Sequence, residues 1–343
     1  MGQQTERLAQ VNDRETEIHR FLRRIGWSDV DRRSVAGDAS NRRYDRLTDT
    51  RGNTAILMDA SPDQGEDVRP FVRIAEHLRN AGLSTPEIYH QDAAKGLLLI
   101  EDFGDALFAD LMAGEPSRQI PLYRDAADVL LHLRDVPKLD LVICDTAWLV
   151  DMLAPLFEWY APKTDSAFSE QFRSFADDVA QHETVLMLRD YHAENLLMLP
   201  NRSGVQRVGL LDFQDAMLAH PAYDLVSVLQ DARRDVSTTV EAEIIDYYLG
   251  KTRQNADMFR RHYAILGLQR NLRILGIFAR LCLRDGKAHY VDMIPRVWNY
   301  VQQNLAHPAL APLAASVSAT LPEPTPDFLE QLKRQCPRQH TPS

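Results

Sequence analysis

Three residues far apart in kind from their apolar neighbours carry the chemistry this sequence can do: Asp190, Asn195 and Asp212, in "RDYHAENLLML" and "GLLDFQD". A divalent cation such as Mg²⁺ takes hard oxygen ligands and usually only one or two protein carboxylates, leaving positions for water and phosphate. Asn195 and Asp212 suit that role. A further carboxylate that does not ligate the metal can accept a proton from an attacking hydroxyl, which is the position Asp190 holds. Taken singly, each is also an ordinary turn, cap or strand-end residue. Their order, each beside an apolar strand, is what points to a site.

These residues must be positioned by a scaffold of some size. At 343 residues, with 45% hydrophobic and 26% charged residues, the chain reads as a globular protein of two lobes. Before residue 104 it is mixed: a leading helix, two strands "RRYDRLTD" and "NTAILMDA" around a turn at Arg51 to Asn53, the amphipathic helix "RPFVRIAEHLRNAG", then strands "PEIYH" and "KGLLLIED", the second apolar enough to be central. After "EDFGDALFADLM" helical patterning dominates, interrupted by short strands at "TVLML" and "VQRVGLLDF" that flank the polar loop. The fold class is therefore α+β, bilobal, with a small antiparallel sheet plus helix followed by a larger, mainly helical lobe. The boundaries read as lobe one over 1–100, lobe two over 105–321 with 101–104 joining them, and a proline-broken, weakly ordered tail over 322–343.

Charge and cysteine usage exclude several classes. A net charge of −10 gives no cationic footprint for nucleic acid. Three cysteines without a C-x-x-C pair suggest neither a disulfide framework nor zinc, which fits a reducing cytoplasm. The polar start "MGQQTERLAQ" lacks a signal-peptide core, and its sixth residue, Glu6, departs from a myristoylation signal. No run approaches the ~18 apolar residues of a membrane span. No obligate protein partner is evident.

The motifs "DYHAEN" and "DFQD" resemble the catalytic loop and metal motif of the aminoglycoside phosphotransferase and protein-kinase-like superfamily. Together with "GDASNRRYDR", "LLLIEDFGD", "LLDFQDAMLAHPAYDLVSVLQDARRDV" and "LQRNLRILGIFARL", they resemble the anomeric sugar kinases that act on N-acetylmuramate and N-acetylglucosamine in cell-wall recycling, over roughly residues 20 to 290. The resemblance implies a kinase-like fold and ATP-dependent, Mg²⁺-dependent phosphorylation of a sugar C1 hydroxyl. It implies Asp190 as general base and Asn195 and Asp212 as Mg²⁺ ligands. The turn containing Ser40 and Asn41 would cover the ATP phosphates. The hinge, with Glu101 and Phe103, would read adenine through its backbone.

The sequence departs from the family pattern in three places. Met58 stands where a strand Lys would pair the phosphates, so Arg42 or Arg43 is the candidate replacement cation, and Glu76 loses its expected Lys partner. Leu188 replaces the His that often opens the loop, and the metal motif is Asp-Phe-Gln. For the sugar, the candidate contacts are His192 and Glu194 in the loop and Arg270 and Asn271 in an otherwise apolar helix, where substrate contact and structural pairing stand equal. Asp224 caps a helix or braces the loop. Two other classes stay open: a kinase for choline, an aminoglycoside or another amine, and a nucleotide-binding pseudokinase. A protein kinase is disfavoured, since only "QDAMLAHPAY" separates the metal motif from the next helix.

Overall fold

The sheet of the first unit is built where β-branched and apolar residues alternate. In the computed structural model, which describes residues 2–35, 41–162 and 167–337, α1 (Gly2–Arg24) precedes β1 (Val30–Val35), β2 (Arg43–Asp49), β3 (Thr54–Asp59), α2 (Arg69–Asn80), β4 (Ile88–Asp92) and β5 (Leu97–Glu101). The five strands run β1-β2-β3-β5-β4, each neighbouring pair antiparallel, so β5 is interior as its apolar run predicts. Side chains alternate across a strand. Leu47, Ala55, Leu57, Leu97 and Leu99 accordingly share one face and form a core with Ile18, Phe21 and Leu22 of α1. The β2–β3 turn is closed by Gly52 at φ 84° and by Asp49, whose carboxylate accepts from the N–H groups of Arg51 and Asn53, each at 2.8 Å.

The edge strand β1, "VDRRSV", has no apolar alternation and was not expected from the sequence. It is tied instead by charge. Arg32 bonds Glu15 at 2.7 Å and Asp45 at 2.6 Å, an edge arrangement that also blunts further strand addition.

Four short strands lie further along: β6 (Val185–Met187), β7 (Leu196–Met198), β8 (Val208–Leu210) and β9 (Met217–Ala219), paired β6 with β9 and β7 with β8. The chain divides into two compact units, Met1–Leu107 with Leu197–Asp215, and Phe108–Leu196 with Ala216–Ser343. The segment 197–215, expected within the 105–321 lobe, thus groups with the first unit. Its backbone explains this: Gly209 bridges Ser84, Leu210 N–H donates to Ser84 O at 2.8 Å and Met198 N–H to Ala106 O at 2.8 Å. A Cβ at Gly209 would meet the Phe103 ring at 2.8 Å, so only glycine allows this approach.

The second unit is helical: α3 (Phe108–Gly114), α4 (Gln119–Leu133), α5 (Thr146–Asp151), α6 (Ala167–Ala180), α7 (Ala222–Leu229), α8 (Thr238–Gly250), α9 (Ala256–Leu283), α10 (Ile294–Leu305), α11 (Ala311–Thr320) and α12 (Pro326–Arg334). The 28-residue α9 is its axis, buried over most of its turns. At Gly276 a Cβ would stand 2.2 Å from the carbonyl carbon of Pro155, so the helix packs there on bare backbone. Over its described residues, 322–337, the tail differs from the expectation of weak order. Thr325 caps α12 by accepting from Phe328 N–H at 3.3 Å, Pro326 sits at the helix start where its missing N–H costs nothing, and Leu332 is buried.

Candidate active site

The loop after β6 is held by an unusual backbone. Arg189 has φ 74° and Asp212 φ 56°, and no other non-glycine among the described residues has positive φ. Such conformations cost of order 1–3 kcal/mol and persist only where surroundings enforce them. Here the enforcing group is Asp224 on α7, 3% exposed, whose carboxylate accepts from Leu188 N–H at 2.6 Å and Arg189 N–H at 3.0 Å. Burial pushes its pKa up to about 7 although the two N–H groups pull the other way. Asp224 therefore braces the loop rather than capping α7. Leu188 itself is buried and takes part through its backbone N–H.

The rest of the loop is pinned on both sides of Asp190. The Tyr191 hydroxyl, within the core, donates to Ala126 O of α4 at 2.9 Å. Asn195 Nδ2 donates to Asp190 O at 2.9 Å, and Asn195 N–H closes a tight turn on His192 O at 2.8 Å. The Asp190 carboxylate is half-buried and accepts no hydrogen bond from the described residues, the condition a proton acceptor needs.

Two oxygens of cation-ligand type follow. With Nδ2 of Asn195 committed to the loop, Oδ1 is its ligand atom. In the first unit, Asp212 lies two residues after β8, accepts from Gln214 Nε2 at 2.6 Å, and precedes Phe213, whose ring packs on Phe71 of α2 at 4.9 Å. A carboxylate has about four lone-pair sites and is a ligand a hard cation takes. The amide oxygen in the second unit and the carboxylate in the first are each of the ligand type that Mg²⁺ takes.

Around the loop the second unit concentrates charge. His192 is 6% exposed; its Nε2 lies 3.3 Å from both Asn195 Nδ2 and Arg233 Nη1. Burial and the guanidinium groups of Arg233 and Arg270 hold its pKa well below the usual value. Glu194 is exposed and pairs with Arg233 at 3.0 Å. Arg270, 7% exposed, donates from Nη2 to Ser227 Oγ at 2.9 Å, and Ser227 Oγ lies 3.5 Å from Arg189 O. Asn271 is fully buried and donates to Gln230 Oε1 at 2.7 Å and Gly267 O at 2.8 Å, within a network that reaches Asn304 of α10. That is the structural-pairing alternative. Arg233 and Ser227 were missed by the sequence reading; their signal was polarity inside the apolar run "AYDLVSVLQDARR".

The nucleotide candidates lie in the first unit, except that Ser40 falls outside the described residues. Asn41 Nδ2 donates to Gln64 O at 3.2 Å. Arg43 pairs with Glu15 at 3.0 Å and lies 3.6 Å from Asp59, while Arg42 pairs with Glu66 at 2.8 Å. Both replacement cations are thus engaged with carboxylates. Met58 is fully buried, and Glu76 is exposed on the outer face of α2, opposite Phe71, Ile74 and Leu78. Glu101 spends its N–H on Glu87 O at 2.8 Å, which removes that group as an adenine donor, and its carboxylate pairs with Arg202. The Phe103 ring lies under the Arg202 guanidinium, 5.2 Å away, and against Gly209.

Asp178, His182 and His262 gather metal-type ligand atoms within 4.8 Å. The hydrogen bond made by His262 fixes which of its nitrogens carries the proton. His220 Nδ1 accepts from Ala222 N–H at 3.1 Å, and burial pushes its pKa down to about 3, so the neutral ring carries its proton on Nε2. Nε2 then donates to His262 Nδ1 at 3.0 Å, which puts the His262 proton on Nε2, 3.3 Å from Asp178 Oδ2. The nitrogen nearest the carboxylate has no lone pair to offer a metal.

Comparison with known proteins agrees with the site. The phosphotransferase enzyme family model matches residues 31–261. A Caulobacter vibrioides protein named N-acetylmuramate/N-acetylglucosamine kinase is 39% identical, covering 92% of this chain and 98% of the relative. A Pseudomonas putida protein of the same name is 31% identical, covering 88% and 93%. Among solved structures, choline kinase LicA from Streptococcus pneumoniae matches with TM-score 0.58 at 13% identity, over 84% of this chain and 99% of that one. The ADP-bound aminoglycoside phosphotransferase APH(2'')-Ib matches with TM-score 0.57 at 12% identity, over 86% and 98%. At those identities the structures speak to fold alone, the α+β kinase-like fold expected from the sequence. With the family model spanning 31–261 and a 39% identical relative along nearly the whole chain, this chain belongs to the phosphotransferase enzyme family.

Proposed function

We propose that this protein transfers the γ-phosphoryl of ATP to the C1 hydroxyl of N-acetylmuramate or N-acetylglucosamine, as a cytoplasmic enzyme of peptidoglycan recycling. The observation that carries the reading is the Asp190 carboxylate, half-buried, without an internal hydrogen bond, on a loop fixed from both sides. The relatives named for these two sugars supply the substrate class.

Asp190 orients the C1 hydroxyl and accepts its proton as the oxygen attacks the γ-phosphorus. An anomeric hydroxyl is more acidic than an ordinary alcohol, so a carboxylate suffices as base. Asn195 and Asp212 would hold Mg²⁺, which when bound with ATP neutralises charge on the transferred group. The Asp224 brace fixes the base at the cost of backbone strain, trading stability for position. The first unit would bind the nucleotide through the turn near Asn41 and the backbone around Phe103.

A kinase for a cationic amine is the second reading. Arg270, a buried guanidinium without an ion pair among the described residues, opposes a cationic acceptor. A pseudokinase is disfavoured by the presence of Asp190, Asn195 and Asp212 together.

The test is ADP release across N-acetylmuramate, N-acetylglucosamine, glucose, choline and an aminoglycoside. Turnover of the two acetylated sugars is expected, falling about 10²- to 10⁴-fold in Asp190→Asn with the fold intact. Turnover of choline or the aminoglycoside alone would overturn the sugar assignment; unchanged turnover in Asp190→Asn would overturn the base.

A further inference from the structure

The catalytic loop is flanked by two buried hydrogen-bond donors that no described residue accepts. The first follows from tautomer logic. Arg233 Nη1 can only donate, and Asn195 Nδ2 likewise, so His192 Nε2, 3.3 Å from both, is the acceptor of the ring. The neutral imidazole then carries its proton on Nδ1, and Nδ1 has no partner among the described residues. The second donor is Arg270 Nη1, also without a partner, on a side chain that forms no ion pair among the described residues. Both lie against one loop: His192 belongs to it, and Ser227, which takes the Arg270 Nη2 bond, reaches Arg189 O at 3.5 Å.

A buried guanidinium without a carboxylate is costly, and so is a buried N–H without an acceptor. Structural arginines in a core end on carboxylates or carbonyls. This one ends on a hydroxyl on one side and on nothing on the other. Both open groups donate, so what completes the site must accept, and beside a full positive charge the favoured acceptor is anionic. Of the sugars proposed above, N-acetylmuramate carries a lactyl carboxylate that N-acetylglucosamine lacks.

Resting on the proposed sugar phosphotransfer, we infer that Arg270 and His192 Nδ1–H form the acceptor-recognition wall of the sugar site, and that Arg270 selects the acidic sugar over the neutral one. Arg270 is a specificity residue that touches substrate; Ser227 holds it in place and links it to the loop through Arg189 O.

The test compares Arg270→Gln and Arg270→Lys with the unaltered protein, measuring kcat and KM separately for N-acetylmuramate, N-acetylglucosamine and ATP, and measuring sugar binding by calorimetry. A probe sugar, N-acetylmuramate with its lactyl carboxylate amidated, isolates the charge. The expected result is a loss of kcat/KM for N-acetylmuramate at least tenfold greater than for N-acetylglucosamine, carried by sugar KM. Arg270→Lys should recover part of it, and the variants should lose the preference for the acid over its amide. Equal losses on both sugars would make Arg270 a loop brace and overturn the inference, as would a loss carried by the KM for ATP. Arg270-dependent binding of N-acetylmuramate without any ADP release would sink the phosphotransfer reading and leave this inference standing.

Discussion

Asp224→Asn separates the two jobs assigned to the buried carboxylate under the loop. In the unaltered protein one carboxylate oxygen accepts from Leu188 N–H and the other from Arg189 N–H, at 2.6 and 3.0 Å. The amide keeps one acceptor and turns an NH₂ toward the other backbone donor. Leaving a buried N–H unsatisfied costs about 1–3 kcal/mol. Against this stands the charge. A carboxyl whose pKa rises from 3.8 to about 7 on folding is bound to more protons in the folded than in the unfolded chain, so its contribution is fully present below pH 4 and lost as pH rises through about 7. Between pH 5 and pH 8 the loss is about 2–3 kcal/mol at roughly 1.4 kcal/mol per pH unit. The amide does not titrate. Asp224→Asn should therefore be less stable than the unaltered protein at pH 5 and approach or pass it at pH 8. Denaturant unfolding of both proteins at the two pH values measures this, and every other titrating group cancels in the difference. Activity should not recover with stability: at pH 8 ADP release should stay about 10- to 100-fold down, because the loop carrying Asp190 is no longer fixed on both donors. A stability gap that stays constant from pH 5 to pH 8 would refute the raised pKa, and full activity at pH 8 would refute the positioning role.

Two glycines make opposite forecasts for the same substitution. Gly276→Ala drives a methyl to 2.2 Å from backbone that cannot move away, which should cost about 3 kcal/mol and lower the thermal midpoint sharply, while Gly250→Ala, with nothing within 4 Å, should gain about 0.5–1 kcal/mol from helix propensity. Arg14→Ala removes the main partner of Asp59, a 5% exposed carboxylate bonded at 2.6 and 2.9 Å, leaving Arg43 at 3.6 Å. Stranding that charge should cost about 3 kcal/mol, read as a thermal midpoint that falls equally at low and high salt. A salt-sensitive loss would instead mark the pair as solvated.

What the sequence made legible was whatever a residue's own type and spacing determine. The strands at 43–49 and 54–59, the amphipathic helix at 69–80 and the loop residues Asp190 and Asn195 follow from alternation, helical period and motif. Strand β1 did not, because ion pairs to Glu15 and Asp45, distant in sequence, substitute for an apolar face. Helix α12 was hidden by reading prolines as breakers when one of them begins it. Asn271 could not be sorted from Arg270 by sequence, since both are polar residues in one apolar helix. The difference lies in partners from other elements: Asn271 donates to Gln230, which Asn304 also reaches, whereas a lone hydroxyl meets Arg270.

The backbone strain is the part of the site furthest from sequence, and it argues most strongly for function. Positive φ favours glycine, and turns that merely need that conformation use it, as Gly52, Gly65 and Gly96 do here. Arg189 and Asp212 hold it at a cost glycine would remove, so their side chains or those they position must be worth more than the strain. One precedes the carboxylate that accepts no hydrogen bond from the described residues; the other is itself the carboxylate that follows β8. Each unit thus spends its only strained non-glycine residue among those described on placing an acidic group. An aspartate that merely capped a turn could relax with no loss, so the strain supports the chemical role proposed for Asp190 and Asp212 over the turn and strand-end roles that their sequence positions equally allowed.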